Sequence, residues 1–416
     1  MPRTSRRRWG VGSAVLLVAA LLTACGSGEG AGDADDPVKI AMIVHNTGPY
    51  ADTGRLKTIG AKIAIDEINA AGGIQALGGA KVELVVEDAG ESVATAVQAA
   101  NRALSEGVVA GEGTGISSTT LAVTEVAERR SIPWLTMSYE DKITERGFRF
   151  VFATSPKTSE FTDLWVKAVQ ELAADNGVAV DRVGIVNGVN VVATSAADQL
   201  RTTYAPANGW DIVMDQTVEE GTLRDATPVV EQIRSSRPQL LLVGSSIGDI
   251  QKIARKQVEQ GMTPVPWVLS GAPYLSGAFV EALGADAVNG TFAVASAAPF
   301  KGQEELAQKV RDAGDPFPQQ YHFATYSHMY LIKEAIERAG TRDPEAIRDA
   351  LAATDVTGGP AGSPWPAGRV RFDDTGRAVD RVAVLVQWQD GRTVTVYPVD
   401  RAQGGPIWPT LGGATS

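Results

Sequence analysis

The sequence predicts an α/β protein made of two doubly wound parallel-sheet halves, and three observations carry that expectation. Apolar strand-like runs alternate with segments of helical spacing from Val38 onward, which is the pattern of βαβ units. The alternation ends at Ser155-Pro156 and then begins again. At 416 residues the chain also exceeds the roughly 250–300 that usually share one core.

Val38–Val44 is a mostly apolar run broken only by Lys39, and Asn46-Thr47-Gly48-Pro49 ends it. Leu56, Ile59, Ile63 and Ile68 recur at roughly helical spacing until Ala70-Ala71-Gly72-Gly73 stops the helix. Val82–Val86 predicts the next strand and Val93–Leu104 an Ala-rich helix. A third pair follows: the strand Val108–Ala110, a glycine loop over Gly111–Gly115, and a helix from Ser117 to Arg129. Pro133–Thr136 is a fourth strand.

After the restart, a helix lies near Glu160–Ala173, and Val183–Val186, Ile212–Met214, Leu240–Val243 and Trp267–Leu269 are strands. Helices lie near Ser195–Thr203, Pro228–Arg234, Asp249–Gln260 and Gly277–Leu283. Glu304–Arg311, Tyr326–Ala339 and Pro344–Ala352 continue as helices. The chain closes with the strand pair Arg369–Phe372 and Val382–Trp388, then Arg392–Tyr397, with Asp390-Gly391 as a hairpin turn.

The N-terminus has the make-up of an export signal. Arg3, Arg6, Arg7 and Arg8 precede a 12-residue apolar run, Val11–Leu22, too short for the roughly 20 residues of a membrane span. Leu22-Thr23-Ala24-Cys25 resembles the lipobox of bacterial lipoproteins, in which the cysteine is acylated and becomes the new N-terminus. Cys25 is the only cysteine, which argues against a disulfide framework. Acyl chains at about 0.8 kcal/mol per buried CH₂ would hold such a protein on the outer face of the cell membrane. Ser5-Arg6-Arg7 leaves the export route open between the general and the twin-arginine pathways. Removing residues 1–24 takes four arginines and no acid from the net charge of −11, leaving −15. That balance excludes nucleic acid as a partner.

The main candidate site is Gly111-Glu112-Gly113-Thr114-Gly115-Ile116-Ser117-Ser118-Thr119. A loop that follows a strand and opens a helix points free N–H groups and a positive dipole end outward, as carboxylate or phosphate binding requires. The same stretch also fits an ordinary serine N-cap with glycines for close packing. No Lys follows the glycines as a nucleotide-binding loop would need. Gly244-Ser245-Ser246-Ile247-Gly248 matches the G-x-S-x-G nucleophile elbow, with His322 or His328 as the available base. Both histidines fall in or beside a helix rather than in a late catalytic loop, so a hydrolase is the minor reading. His45, His322 and His328 have no metal-ligand spacing, and no cofactor or metal is expected. Glu87-Asp88, Glu219-Glu220 and Asp373-Asp374 follow strand-like runs and are expected to be solvated turns.

Gly48-Pro49-Tyr50-Ala51, Ile65-Asp66-Glu67-Ile68-Asn69-Ala70-Ala71-Gly72-Gly73-Ile74 and Val82-Glu83-Leu84-Val85-Val86-Glu87-Asp88 resemble the opening of the branched-chain amino acid (Leu/Ile/Val) binding proteins of ABC importers. Ser117-Ser118 before Leu121-Ala122-Val123, Ile132-Pro133, Glu334–Gly340 and Val370-Arg371-Phe372-Asp373 match in the same order. The resemblance implies a type I periplasmic-binding fold: two lobes joined by three crossovers, near Ser155, Ala298 and Gly376, with a hinge motion closing on ligand. It implies residues 37–155 and 298–376 in lobe 1, 156–297 and 377–416 in lobe 2, with 1–24 as signal and 25–36 as linker. The implied partners are a small solute and an ABC permease, and the implied state is a monomer without catalytic activity. A kinase-linked sensor subunit would use the same fold.

Carried over position by position, the resemblance makes Ser118, beside Ser117, the serine that binds a ligand carboxylate. Ser138 and Tyr139 become the second carboxylate-binding segment, and Thr53 falls where the family often has an aromatic residue. In the second lobe Asn190-Val191-Val192-Ala193 and Ser246-Ile247 depart from the family pattern, and the acid expected near Gly271-Ala272-Pro273 is missing. The expected ligand therefore lacks an α-amine unless Glu140, Asp249 or Glu112 substitutes, because burying an ammonium unpaired is costly, and a short carboxylate, amide or aromatic acid fits that reading. Tyr274 and Trp134 could supply apolar walls.

Overall fold

The computed structural model describes residues 36–408 apart from 189, 190, 220, 263 and 264. Cys25, the segment ahead of it, Asn190 and Glu220 therefore lie outside the described residues.

The strands β1 (Val38–Val44), β2 (Val82–Asp88), β3 (Ala110–Gly113), β4 (Trp134–Thr136) and β5 (Val151–Ala153) form a parallel sheet in the order β2-β1-β3-β4-β5. Between them run α1 (Ala51–Ala70), α2 (Val93–Ala103) and α3 (Ser117–Arg129). The sequence pattern explains why both faces are covered. Val38, Ile40, Met42 and Val44 pack into one core cluster, while the alternate residues Ala41 and Ile43 pack into another with α2 and α3. A strand buried on both faces reads as the near-continuous apolar run seen here.

The second sheet has seven strands in the order β14-β13-β10-β9-β8-β6-β7. It is entered through α4 (Thr158–Asp175) and built from β6 (Arg182–Asn187), β7 (Asp211–Thr217), β8 (Leu240–Gly244), β9 (Trp267–Leu269) and β10 (Phe292–Ala295). Interleaved are α5 (Val191–Gln199), α6 (Ala205–Asn208), α7 (Thr227–Ser236), α8 (Ile247–Glu259), α9 (Gly277–Leu283) and α10 (Ala285–Val288). The chain then returns to the first layer through α11 (Glu304–Asp312), α12 (Gln320–Ala339) and α13 (Pro344–Ala352), and α12 lies along α1. After β11 (Asp355–Thr357), α14 (Gly359–Gly362) and β12 (Arg369–Arg371), the hairpin β13 (Val384–Gln389) and β14 (Arg392–Tyr397) joins the second sheet antiparallel to β10. Thus the polypeptide passes between the sheets three times: after β5, after β10 and after β12.

Most expected elements are present, and the differences have physical reasons. The helix expected from Tyr326 begins at Gln320, so His322 and His328 both lie inside it. β12 pairs with β11, not with the Val382–Trp388 strand as the sequence suggested, because the third passage intervenes. Two short guanidinium–carboxylate bonds from Arg369 to Asp355, both 2.6 Å, lock that small ribbon. β5, β10 and β11 were not expected from the sequence; they are three or four residues long and are defined by their neighbours in the sheet. Asp390 and Gly391 take φ of 49° and 73°, as a two-residue hairpin turn requires. At the start of the fold, the Arg342 guanidinium between α12 and α13 donates to the carbonyls of Asp36 (2.5 Å) and Pro37 (3.3 Å), fixing the entry to β1. Among the described residues no helix is long and apolar enough to cross a membrane.

Candidate functional site

In open α/β sheets a ligand sits in the crevice outside the carboxyl ends of the strands. Here those ends are the loops after β1, β3 and β4 in one sheet and after β6, β8, β9 and β10 in the other. A hollow of about 460 Å³ beside β14 and α4, lined by Leu172, Lys301 and Val399 among others, is not at these ends.

The glycine stretch is more strand than the sequence suggested. Gly111, Glu112 and Gly113 belong to β3 and are buried, so the loop proper is Thr114–Ile116. The reason is Trp134 on the neighbouring strand: a Cβ on Gly111 would sit 2.1 Å from its ring. Gly111→Ala is therefore expected to lower stability by about 1–3 kcal/mol through overpacking, read as a lowered thermal midpoint. Ile116, not a serine, takes the N-cap position of α3, and no side chain caps it. The first-turn amides of Ser117, Ser118 and Thr119 thus have no intrahelical acceptor, and Ser118 is exposed with Ser117 half-buried beside it.

A chain of buried hydroxyls sets this terminus in place. His45 Nδ1 donates to Gly90 O (2.8 Å), its Nε2 meets Thr119 Oγ1 (3.1 Å), and Thr119 Oγ1 meets Thr114 Oγ1 at 2.7 Å. Thr114 Oγ1 continues to Thr120 Oγ1 at 3.0 Å, and that to Ser138 Oγ at 2.7 Å. The ends of β1, β3 and β4 are thereby one connected unit. Ser138 is fully buried, and its hydroxyl is engaged with Thr120 and Thr136. Thr53, in the first turn of α1, donates to Tyr50 O at 2.7 Å. Trp134 is a packing residue whose Nε1 donates to Gly113 O at 3.0 Å.

Beneath the loop lies a buried ionic group. Lys57 Nζ is 2.7 Å from Glu112 Oε1, and His328 Nδ1 is 3.3 Å from the same oxygen, all three residues being fully buried. The Lys57 ammonium lies 3.5 Å from where a Cβ of Gly115 would be. Burial alone would raise the Glu112 carboxyl, but Lys57 and the His328 hydrogen bond hold it below its usual range. Burial lowers His328, which keeps it neutral against the pull of Glu112. Glu112 is therefore neutralised through Oε1 by Lys57 and His328, while its buried Oε2 has no hydrogen-bond partner.

On the second sheet, Ser246 is the N-cap of α8 and its hydroxyl contacts Asp249 Oδ2 at 2.8 Å. Asp249 also accepts from Ser245 Oγ (3.0 Å) and from the amides of Gly221 (2.6 Å) and Leu223 (3.1 Å). Burial would raise this carboxyl, and those donors together hold it low. His322 and His328 bond elsewhere, so the residues around Ser246 do not form a nucleophile–base pair. Tyr274 is buried and donates to Ser245 O.

Tyr139 reaches across the gap: its hydroxyl contacts Gln320 Oε1 (2.9 Å) and Ser296 Oγ (3.2 Å) just after β10, and its ring packs on Phe161 of α4. Burial pushes its phenol up to about 12. Tyr321 was not singled out in the sequence, because the helix was expected to start five residues later. It is buried, and that burial, with the electrostatic influence of Tyr139, Tyr50, Asp52 and Tyr274, pushes its phenol upward. Of the three acids weighed for a ligand ammonium, Glu140 is half-buried next to Tyr139 and the other two are occupied. Among the described residues no cluster of His, Cys, Asp and Glu could hold a metal.

Comparison with known proteins agrees with this fold. Leu/Ile/Val-binding protein homolog 7 of Brucella suis biovar 1 (strain 1330) is 28% identical over 396 residues, covering 92% of this chain and 95% of its own. The isoleucine-bound branched-chain amino acid transporter substrate-binding protein LivJ of Streptococcus pneumoniae superposes with a TM-score of 0.74 at 21% identity, covering 86% of this chain and 98% of its own. A branched-chain amino acid ABC transporter protein of Silicibacter pomeroyi gives 0.76 at 21% identity, covering 91% of this chain and all of its own. The periplasmic binding protein family matches residues 37–393, and the chain belongs to that family.

Proposed function

We propose that this protein is the extracytoplasmic solute-binding subunit of an ABC importer and takes an amino acid of branched-chain type, or a related small carboxylate or amide, between its two sheets. The uncapped N-terminus of α3 supports this most directly, since Ser117 and Ser118 present free amides and hydroxyls at a strand-end gap. On this reading the ligand carboxylate meets Ser118 and Ser117, with the Ser138–Tyr139 segment and Thr53 beside it. Ser246 and Tyr274 face it from the second sheet. Glu140 would supply the carboxylate for a ligand that carries an ammonium. Residues 37–155 and 298–376 form one lobe, and 156–297 and 377–416 the other. Cys25 carries the lipid anchor, and the protein works as a monomer that delivers its solute to a permease.

Hydrogen bonds to a charged group contribute about 1.5–3 kcal/mol each, so three or four approach the roughly 8 kcal/mol of a micromolar complex before closure costs. Leucine, isoleucine or a related acid such as benzoate is expected to raise the thermal midpoint. Ser118→Ala should weaken the binding about 10–100-fold with little change in the ligand-free midpoint. No stabilisation by any amino acid or small acid would overturn the reading.

A further inference from the structure

Arg377 is fully buried, and among the described residues no carboxylate bonds its guanidinium. Its donors go to backbone carbonyls and one hydroxyl instead. Nε meets Thr144 Oγ1 at 3.1 Å, one terminal nitrogen meets Ser138 O (3.3 Å), Ser155 O (3.2 Å) and Pro156 O (3.4 Å), and the other meets Glu140 O at 2.9 Å. Burial lowers it to about 10, so it remains charged at neutral pH.

These partners have a pattern. Ser155 and Pro156 form the first passage between the sheets, and Arg377 itself lies on the third, bridged to Ala153 of β5. Ser138–Glu140 is the strand-end segment after β4. Its other backbone bonds run the same way: Ser138 O accepts from Ser155 Oγ (2.7 Å), and Tyr139 O from the Thr158 amide (2.7 Å). The Tyr139 hydroxyl reaches Ser296, at the second passage. Three residues at the gap are therefore stitched to all three passages, and a single guanidinium supplies the bonds to the third.

We propose that Arg377 is a positioning residue that couples the Ser138–Glu140 segment to the passages between the lobes, so that occupancy of the gap and closure of the lobes move together. The coupling rests on the solute-binding reading above for its ligand half, but its mechanical half does not need a ligand. A flexible Lys in this place could satisfy only part of the fork.

The test is amide hydrogen exchange on the full chain without ligand, comparing the parent with Arg377→Lys and Arg377→Met. Exchange in segments 138–143 and 155–160 is expected to speed up about 10–100-fold in Arg377→Met and less in Arg377→Lys, with β1 and β8 unchanged. Small-angle scattering then reads closure: whatever contraction leucine, isoleucine or benzoate causes in the parent should be lost in Arg377→Met. Unchanged exchange in those segments, or a uniform rise across both sheets, would make Arg377 a packing residue and overturn the proposal. Should Arg377→Met not fold, Arg377→Lys decides by the same segments. If none of the three compounds contracts the parent, the ligand assignment fails, and the exchange result still decides the coupling.

Discussion

Lys57→Met is expected to cost about 3–5 kcal/mol of folding stability, because it strands the Glu112 carboxylate in a fully buried site. The pair itself contributes much less than this, since desolvating both charges offsets most of their attraction. Glu112 Oε2 already lacks a hydrogen-bond partner, so the site has nothing in reserve to absorb the lost ammonium. His328, 3.3 Å away, is the group that would answer by taking up a proton. Its pKa should therefore rise in Lys57→Met, making that variant recover stability on mild acidification while the parent loses it. Lys57→Met combined with Glu112→Leu should regain most of the loss. Urea titrations of the parent, both single variants and the double variant give the coupling directly. A single variant as stable as the parent would mean that water reaches this site.

The parent should lose about 2–3 kcal/mol between roughly pH 6.5 and pH 4.5, with carboxylate protonation adding to the loss below about pH 5. His322 carries the largest resolved part, because burial lowers it from 6.5 to about 4. Such a histidine is neutral when folded and binds a proton once unfolded. The unfolded state then holds more protons in this window, so stability is full above the upper value and falls as pH drops toward the lower one. His45 and His328 are lowered too, also chiefly by burial, and add in the same direction. Unfolding free energies measured from about pH 7.5 down to about pH 4.5 test the slope. His322→Asn keeps an acceptor for the Gln319 amide and should flatten the slope by close to one proton, even if it is less stable throughout. An unchanged slope would place the acid sensitivity elsewhere.

Sequence patterns revealed the long elements because their periodicity is strong. Val38–Val44 coincides with β1, and Pro344–Ala352 with α13. What escaped were three- and four-residue strands such as Val151–Ala153, whose identity depends on neighbours distant in the chain. Ser117 and Ser118 could be placed at the start of a helix from the glycines before them, and they lie there. The hydroxyl chain that fixes them could not be foreseen, because His45, Thr119 and Ser138 meet only through folding. Tyr321 and Arg377 were invisible for the same reason. Asp249 carried no mark of being saturated until Gly221 and Leu223 appeared beside it.

The clasp of Arg342 on Asp36 and Pro37 fixes a direction of pull. Those residues stand at the opposite tip of β1 from the His45 loop, a seven-residue strand away, or about 23 Å. A pull applied from the N-terminal side of residue 36 would therefore reach β1 at the end opposite its strand-end loop, away from the α3 terminus.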